Sequence, residues 1–148
     1  MFCGKPPPGK LLTRGETAPS LKNVARILIV DDEPMVGLMI RRLLSPPHDV
    51  SLDRSGRAAR ARFAAGERFD VIVTDLNMTD GDGIWLRGEL AKIDPSAPPR
   101  MLFLTGGAAS VQAQEFLDRP GIRWLDKPFR ADRLFGAIEE ILLAATST

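Results

Sequence analysis

The sequence predicts an α/β fold, in which one parallel β-sheet is covered by helices on both faces. Five short apolar segments alternate along the chain with five segments of helical periodicity, a pattern typical of strands joined by crossover helices. Most of the apolar segments are continuous, as expected for parallel strands that are buried on both faces. The chain has 148 residues, of which 44% are hydrophobic, and this is enough for one domain with a packed core.

The first two strand–helix units lie near the start of this pattern. The apolar segment Arg26–Val30 predicts a strand. Apolar residues at helical spacing predict a helix over Pro34–Leu44, with proline in the first turn, where it is tolerated. The Ser-Pro-Pro sequence that follows ends this helix, since proline cannot continue it. Alternating side chains predict a strand over Asp49–Asp53, and an Ala- and Arg-rich segment predicts a helix over residues 56–65, closed by a glycine.

Three further units complete the pattern. The predicted strands are residues 69–74, 101–104 and 122–125. The predicted helices are residues 84–93, 108–117 and 131–145. The first two of these helices end shortly before a proline. The last helix is amphipathic, and its apolar face consists of Leu134, Ile138, Ile141 and Leu142.

The chain divides into a short N-terminal segment and one domain. We assign residues 1–23 to a flexible tail or linker, because Pro6-Pro7-Pro8-Gly9 favours an extended start and further loop-forming residues follow. Residues 24–148 form the domain. The tail is either a linker from a longer protein or a native flexible arm.

Composition excludes several kinds of site. The net charge is +1, so no strong field points to nucleic acid or to an anionic membrane. Apolar runs fall far short of the roughly 20 residues of a membrane helix, and we expect neither membrane insertion nor a signal peptide. Cys3 is the single cysteine and His48 the single histidine, which excludes an internal disulfide and the usual zinc sites. A cytoplasmic location fits this cysteine usage.

Polar residues follow the C-terminal ends of four predicted strands. These residues are Asp31, Asp32, Asp75, Thr105 and Lys127. In parallel α/β sheets ligands bind outside the carboxyl ends of the strands, so we expect these side chains to converge on one pocket. Like-charged carboxylates that lie close together repel, and such a cluster usually holds a cation.

This set of side chains is suited to phosphoryl transfer. Mg²⁺ prefers oxygen ligands and commonly bridges carboxylates to a phosphate, and lysine and threonine can contact phosphate oxygens. The remaining carboxylate can attack phosphorus as a nucleophile and form an aspartyl phosphate. Each residue taken alone has a simpler interpretation: Asp31 and Asp32 can cap a helix, Asp75 and Thr105 can belong to turns, and Lys127 can be a solvated turn residue. Their conjunction at successive strand ends favours the site.

Four motifs carry a resemblance to a known family. They are Ile27-Leu28-Ile29-Val30-Asp31-Asp32-Glu33-Pro34, Asp70-Val71-Ile72-Val73-Thr74-Asp75-Leu76-Asn77-Met78, Leu104-Thr105-Gly106 and Leu125-Asp126-Lys127-Pro128-Phe129. With these motifs the chain resembles the receiver domain of two-component response regulators, over residues 26–144. The resemblance implies a flavodoxin-like (βα)5 three-layer sandwich, with a parallel five-stranded sheet of order 2-1-3-4-5.

The resemblance also implies a role for each site residue. Asp75 would be the phosphoacceptor and also a metal ligand, and Mg²⁺ would be the cofactor. Asp32 would bind the metal directly and Asp31 would support it through water. The backbone carbonyl of Asn77 would be a further metal ligand.

The remaining implied roles concern the switch between states. Lys127 would contact the phosphoryl group, and Thr105 would be the hydroxyl that moves towards it. Trp124 occupies the position of the family's aromatic switch residue, which is often Tyr or Phe. Thr79 stands where the family usually has proline, so the loop after Asp75 should be more flexible.

The chain contains neither a phosphate-binding P-loop motif nor a glycine-rich kinase loop, so the phosphoryl group must come from elsewhere. The resemblance implies the phosphohistidine of a histidine kinase or of a histidine phosphotransfer domain as donor. A receiver of this kind would phosphorylate and dephosphorylate itself, and kinase activity would require a longer hybrid kinase. We expect the output to be a downstream signalling protein, with no direct contact to nucleic acid. Both a stand-alone receiver and the C-terminal receiver of a hybrid sensor kinase fit the sequence.

Two other function classes remain open. A pseudo-receiver would keep the fold as an interaction module without phosphorylation, but the acids, Thr105 and Lys127 are all present. A phosphatase with an aspartate nucleophile usually has a second aspartate two residues after the first. Here Asn77 occupies that position relative to Asp75.

Overall fold

The computed structural model describes residues 24–107 and 110–146. The strands are β1 (Arg26–Val30), β2 (Asp49–Asp53), β3 (Val71–Asp75), β4 (Met101–Thr105) and β5 (Arg123–Asp126). The helices are α1 (Pro34–Leu44), α2 (Gly56–Ala64), α3 (Gly83–Ile93), α4 (Val111–Leu117) and α5 (Ala131–Thr146). A 3-10 turn, Pro98–Arg100, precedes β4 and was not predicted. The predicted tail, residues 1–23, lies outside the described residues.

The five strands form one parallel sheet in the order β2-β1-β3-β4-β5. This order confirms the predicted flavodoxin-like (βα)5 fold. Each strand is short and, except at the two edges, almost wholly buried, as a sheet covered on both faces requires.

Two hydrophobic cores lie on opposite faces of the sheet. On one face, Leu28 and Ile72 pack with buried residues of α2, α3 and α4. On the other face, Ile27 and Val71 pack with buried residues of α1 and α5. Successive residues of a strand point to opposite faces, so neighbouring residues of β1 belong to different cores. The helices therefore form the two outer layers of a three-layer sandwich.

The two longest amphipathic patterns have different outcomes. In α5, Leu134, Ile138 and Ile141 are buried as predicted. In α1, the residues buried against the sheet are Gly37, Ile40 and Leu44. Three of the apolar residues whose spacing predicts α1 are exposed, and these are Met35, Leu38 and Met39. The helix was therefore predicted correctly from residues that mostly do not form its core.

Strand and helix ends differ from the predictions by one to three residues. Asp75 is the last residue of β3 rather than the first residue after it. Helix α4 begins at Val111, where the Ser110 hydroxyl accepts a hydrogen bond from the Ala113 N–H at 3.0 Å. Among the residues that the structure describes, none belongs to a helix long and apolar enough to cross a membrane.

Candidate functional site

The polar residues predicted to converge follow strands whose C-terminal ends meet at one edge of the sheet. Asp31 directly follows β1, and Asp75 and Thr105 are the last residues of β3 and β4. Lys127 follows β5, and its backbone N–H donates to the Thr105 carbonyl at 2.7 Å. Because all the strands are parallel, these four side chains are delivered to the same rim.

Three carboxylates form the centre of the site. Oxygens of Asp31, Asp32 and Asp75 all lie within 4.8 Å of one another. Asp31 is 1% exposed and Asp75 is 5% exposed, so neither charge is well screened by water. Clustered carboxylate oxygens are the ligands that hard divalent cations prefer, and these residues could hold such an ion.

Lys127 bridges the buried carboxylates from the opposite side of the cluster. Its Nζ lies 3.1 Å from Asp31 Oδ2 and 3.0 Å from Asp75 Oδ2. A third contact, of 3.4 Å, joins it to Glu33 Oε1. Burial alone would lower the pKa of Lys127, but the hydrogen bonds to Asp75 and Asp31 outweigh it and raise that pKa. The lysine is therefore a firmly charged cation beside the acids.

The pKa of Asp31 is raised from the ordinary value of an aspartate. Burial raises the pKa of its carboxyl, and the neighbouring charge of Asp75 adds to the rise. The Glu33 N–H, which donates to Asp31 Oδ1 at 2.9 Å, and the Lys127 ammonium oppose this rise without cancelling it. The buried pair of acids is therefore only partly neutralised by the protein itself.

The Thr105 hydroxyl differs from the other groups. It is buried, and it has no hydrogen-bond partner within the described part of the chain. Most buried polar atoms in proteins are paired, so the unpaired hydroxyl at the C-terminal end of β4 has an unused capacity to form a hydrogen bond. Donation to an oxygen of a bound anion would satisfy it.

The chain after Asp75 turns sharply back towards the cluster. The Asn77 N–H donates to Asp75 Oδ1 at 3.2 Å, so one carboxylate oxygen is held by the backbone and the other by Lys127. Asn77 itself is exposed at the rim. The Asn77 backbone therefore lies next to Asp75, whose carboxylate belongs to the acidic cluster.

The sequence model of the family described as "Response regulator receiver domain" matches residues 27–139. The chain belongs to this family. It is a receiver domain of two-component signalling, and domains of this type interact with histidine kinases and with downstream effectors.

Similar proteins include two kinds of curated relative. CpdR of Brucella abortus, a response regulator receiver protein, is 34% identical over 122 residues, which are 81% of this chain and 98% of CpdR. GlrR of Escherichia coli K12, a transcriptional regulatory protein, is 32% identical over 119 residues, which are 80% of this chain. The receiver domain spans only 26% of the length of GlrR.

Solved structures agree with the fold. A response regulator receiver domain from Clostridium thermocellum superposes with a TM-score of 0.73 at 26% identity, covering 83% of this chain and 98% of the other. A CheY-like receiver domain from Methanospirillum hungatei superposes with a TM-score of 0.74, covering 84% of this chain and 98% of the other. Its identity is 24%, so it supports the fold alone.

Trp124 and Arg60 have no contact with the three acids among those described above. Trp124 lies on the edge strand β5 opposite Phe103, is 36% exposed, and lines a surface groove together with Gly136 of α5. Arg60 of α2 forms a 2.9 Å ion pair with Glu89 of α3.

Sequence reasoning missed two contacts near the site. Glu33 joins the Lys127 cluster, and the only signal was its position directly after the acidic pair. Arg57, at the start of α2, pairs with Asp80 in the loop after β3 at 2.9 Å. No pattern in the sequence links these two residues.

Proposed function

We propose that this receiver domain accepts a phosphoryl group on Asp75, with Mg²⁺ as cofactor, from a phosphohistidine of a histidine kinase or phosphotransfer domain. The carrying observation is the position of Lys127, whose Nζ contacts Asp75 Oδ2 and Asp31 Oδ2 together. A lysine in this place can donate to the carboxylate before phosphorylation and to a phosphoryl oxygen after it. The arrangement fits acceptance of an anion better than a capped helix or a plain turn.

The reaction is a displacement at phosphorus. A carboxylate oxygen of Asp75 attacks the phosphorus atom and the P–N bond to the histidine breaks. The electron pair stays on the imidazole nitrogen, which then takes up a proton. Asp31, Asp32, Asp75 and the Asn77 carbonyl would hold Mg²⁺, which when bound neutralises charge on the phosphoryl oxygens. In phosphoryl transfer the protein contributes mainly positioning and charge neutralisation, and these residues supply both.

The switch follows from the unpaired hydroxyl of Thr105. A phosphoryl group adds a strong acceptor near that hydroxyl, so the phosphorylated state gains a hydrogen bond that the other state lacks. Movement of Thr105 would carry the adjacent Gly106 and Gly107, and Gly107 already has a φ of +124°, a conformation that glycine adopts freely. We propose that the surface near α4, β5 and α5, including Trp124, changes its affinity for a downstream protein.

The output of this receiver domain is assigned to protein contacts. The net charge of +1 gives no reason to propose direct binding of nucleic acid. GlrR and TcrA are named as transcriptional regulatory proteins, but this chain matches only part of each, 26% and 45% of their lengths. The cytoplasmic location remains a proposal that rests on cysteine usage.

The decisive experiment is phosphorylation of purified protein by acetyl phosphate, with and without Mg²⁺, followed by intact-protein mass spectrometry. We expect one phosphoryl group on the wild type with Mg²⁺ and none on Asp75→Asn. Asp118→Asn is the control, because that carboxylate is exposed just after α4 and accepts a hydrogen bond from the Gln114 side chain at 3.1 Å. Labelling of Asp75→Asn would refute the assignment. Absence of labelling in the wild type would favour a pseudo-receiver, and continuous release of phosphate from small esters would favour a phosphatase.

A further inference from the structure

The loop of residues 77–82, which joins β3 to α3, is anchored at both ends. At its start the Asn77 N–H donates to Asp75 Oδ1, and at its end the Gly83 N–H donates to the Leu76 carbonyl at 3.0 Å. The side chain of Asp82 caps α3 by accepting from the Trp85 N–H at 2.8 Å. These bonds fix where the loop leaves β3 and where it enters α3, but they do not hold its middle.

The middle of the loop is held by Arg57, the second residue of α2. The Arg57 backbone N–H donates to the Asp80 carbonyl at 3.3 Å, and its guanidinium Nε lies 2.9 Å from Asp80 Oδ1. The same guanidinium lies over the ring of Trp85, 5.0 Å from its centroid. One side chain therefore contacts both the loop and the helix that follows it.

Close packing around Gly81 shows that the loop has little room at this point. Gly81 has a φ of +84°, and a Cβ built on it would lie 2.8 Å from the Trp85 ring. A Cβ on Gly56, at the start of α2, would lie 2.1 Å from the Gly81 carbonyl oxygen. The loop backbone thus passes directly between the start of α2 and Trp85.

We propose that Arg57 is a positioning residue for the acidic site: by holding Asp80 against α2 and Trp85, it keeps the Asn77 backbone next to Asp31, Asp32 and Asp75. This inference rests on the proposed function, in which the Asn77 carbonyl binds Mg²⁺. A metal ligand supplied by a loop binds more tightly when the loop is already ordered, because less conformational freedom is lost on binding. Thr79 provides no ring constraint of its own, so Arg57 supplies the restraint from outside the loop.

The chain offers a matched control in Arg60. Arg57 and Arg60 lie one turn apart on α2, and each forms an ion pair of 2.9 Å. The partner of Arg60 is Glu89 on α3, which lies outside the loop. A general effect of losing an arginine from α2 should therefore appear in both Arg57→Ala and Arg60→Ala. An effect on the loop should appear only in Arg57→Ala.

The test compares Arg57→Ala, Arg57→Lys and Arg60→Ala with the wild type. The first measurement is hydrogen exchange of the Asn77 and Gly83 amides in metal-free protein, followed by NMR. The second is the Mg²⁺ dissociation constant from titration calorimetry. An exposed ion pair and a cation–π contact together correspond to roughly a three- to tenfold effect. We therefore expect Arg57→Ala to speed loop exchange and weaken Mg²⁺ binding by about this factor, with partial recovery in Arg57→Lys.

Arg60→Ala should leave both the exchange rates and the Mg²⁺ affinity unchanged. The inference is overturned if Arg57→Ala has wild-type Mg²⁺ affinity, or if Arg60→Ala changes the loop as much as Arg57→Ala does. A wild-type protein that binds no Mg²⁺ would refute the proposed function instead. Faster loop exchange in Arg57→Ala would in that case still support the loop-holding role of Arg57.

Discussion

Replacement of Lys127 by methionine tests the electrostatics of the site most directly. Lys127 has a side chain that is 16% exposed and lies within 3.1 Å of two buried carboxylates. Its removal leaves Asp31 and Asp75 beside each other without their cation. Breaking a buried ion pair by removing one partner costs about 3–5 kcal/mol of unfolding free energy. Because the site opens to water on one side, we expect a loss at or below the lower end of this range, about 2–3 kcal/mol at neutral pH without metal.

The pH dependence of this loss has a definite sign. Burial raises the pKa of Asp31 already in the wild type, and removal of Lys127 takes away two contributions that lower it. An acid whose pKa is raised by folding destabilises the folded state at pH values where it is charged, and protonation relieves this. The difference between the wild type and Lys127→Met should therefore be largest at neutral pH and shrink as the pH falls towards the ordinary carboxyl range.

The assay is urea unfolding followed by circular dichroism, at several pH values and with or without Mg²⁺. Lys92→Met is the control, because Lys92 is 73% exposed and pairs with Glu89 on its own helix. Its loss should be within about 0.5 kcal/mol and independent of Mg²⁺. Mg²⁺ should stabilise Lys127→Met more than the wild type, since the metal no longer competes with the lysine for the same oxygens. A Lys127→Met protein as stable as the wild type at neutral pH would refute this account.

Two further predictions concern packing and a half-buried histidine, His48. Gly56→Ala should destabilise the fold by about 1–3 kcal/mol, because its Cβ would lie 2.1 Å from the Gly81 carbonyl oxygen. Gly88→Ala is the control on α3, where the new Cβ would meet open space. This variant should stabilise the fold by up to about 1 kcal/mol in the same urea experiment. His48 Nδ1 accepts the Ala25 N–H at 3.1 Å, and burial lowers its pKa below 6.5, so the unfolded chain binds this proton more readily and stability should fall as the pH drops below about 6.5. His48→Asn should lose that part of the pH dependence, and an unchanged pH profile in this variant would contradict the assignment.

The parts of the site that lie at strand ends could be predicted from the sequence. Asp31, Asp75, Thr105 and Lys127 follow from one rule, that parallel strands present their C-terminal residues at a common edge. The strand order came from the resemblance and was confirmed. The buried face of α1 could not be predicted, because apolar residues such as Met35, which is 77% exposed, cover more than one side of that helix.

Contacts that depend on side-chain conformation and on the path of a loop could not be predicted from the sequence. Arg57 and Asp80 are 23 residues apart, and only the packing of α2 beside α3 brings them together. The unpaired hydroxyl of Thr105 likewise depends on what surrounds it in three dimensions. Periodicity identifies which residues reach an edge, but it does not show which atoms there are paired.

The charges of the site explain why metal and phosphoryl group should depend on each other. The ammonium group of Lys127 contacts the carboxylates of Asp31, Glu33 and Asp75, and Asp32 lies beside two of these acids, Asp31 and Asp75. Phosphorylation of Asp75 would replace its single carboxylate charge by up to about two phosphate charges, beside Asp31, whose pKa is raised by burial and further by the charge of Asp75. One lysine cannot neutralise this, so transfer without a divalent cation should be strongly disfavoured. The same repulsion favours a hydrogen bond from the Thr105 hydroxyl in the phosphorylated state, because each added donor stabilises the negative charge of the phosphoryl group. Under the proposed function, the acids that would hold the cation would therefore also couple phosphorylation to movement at the end of β4.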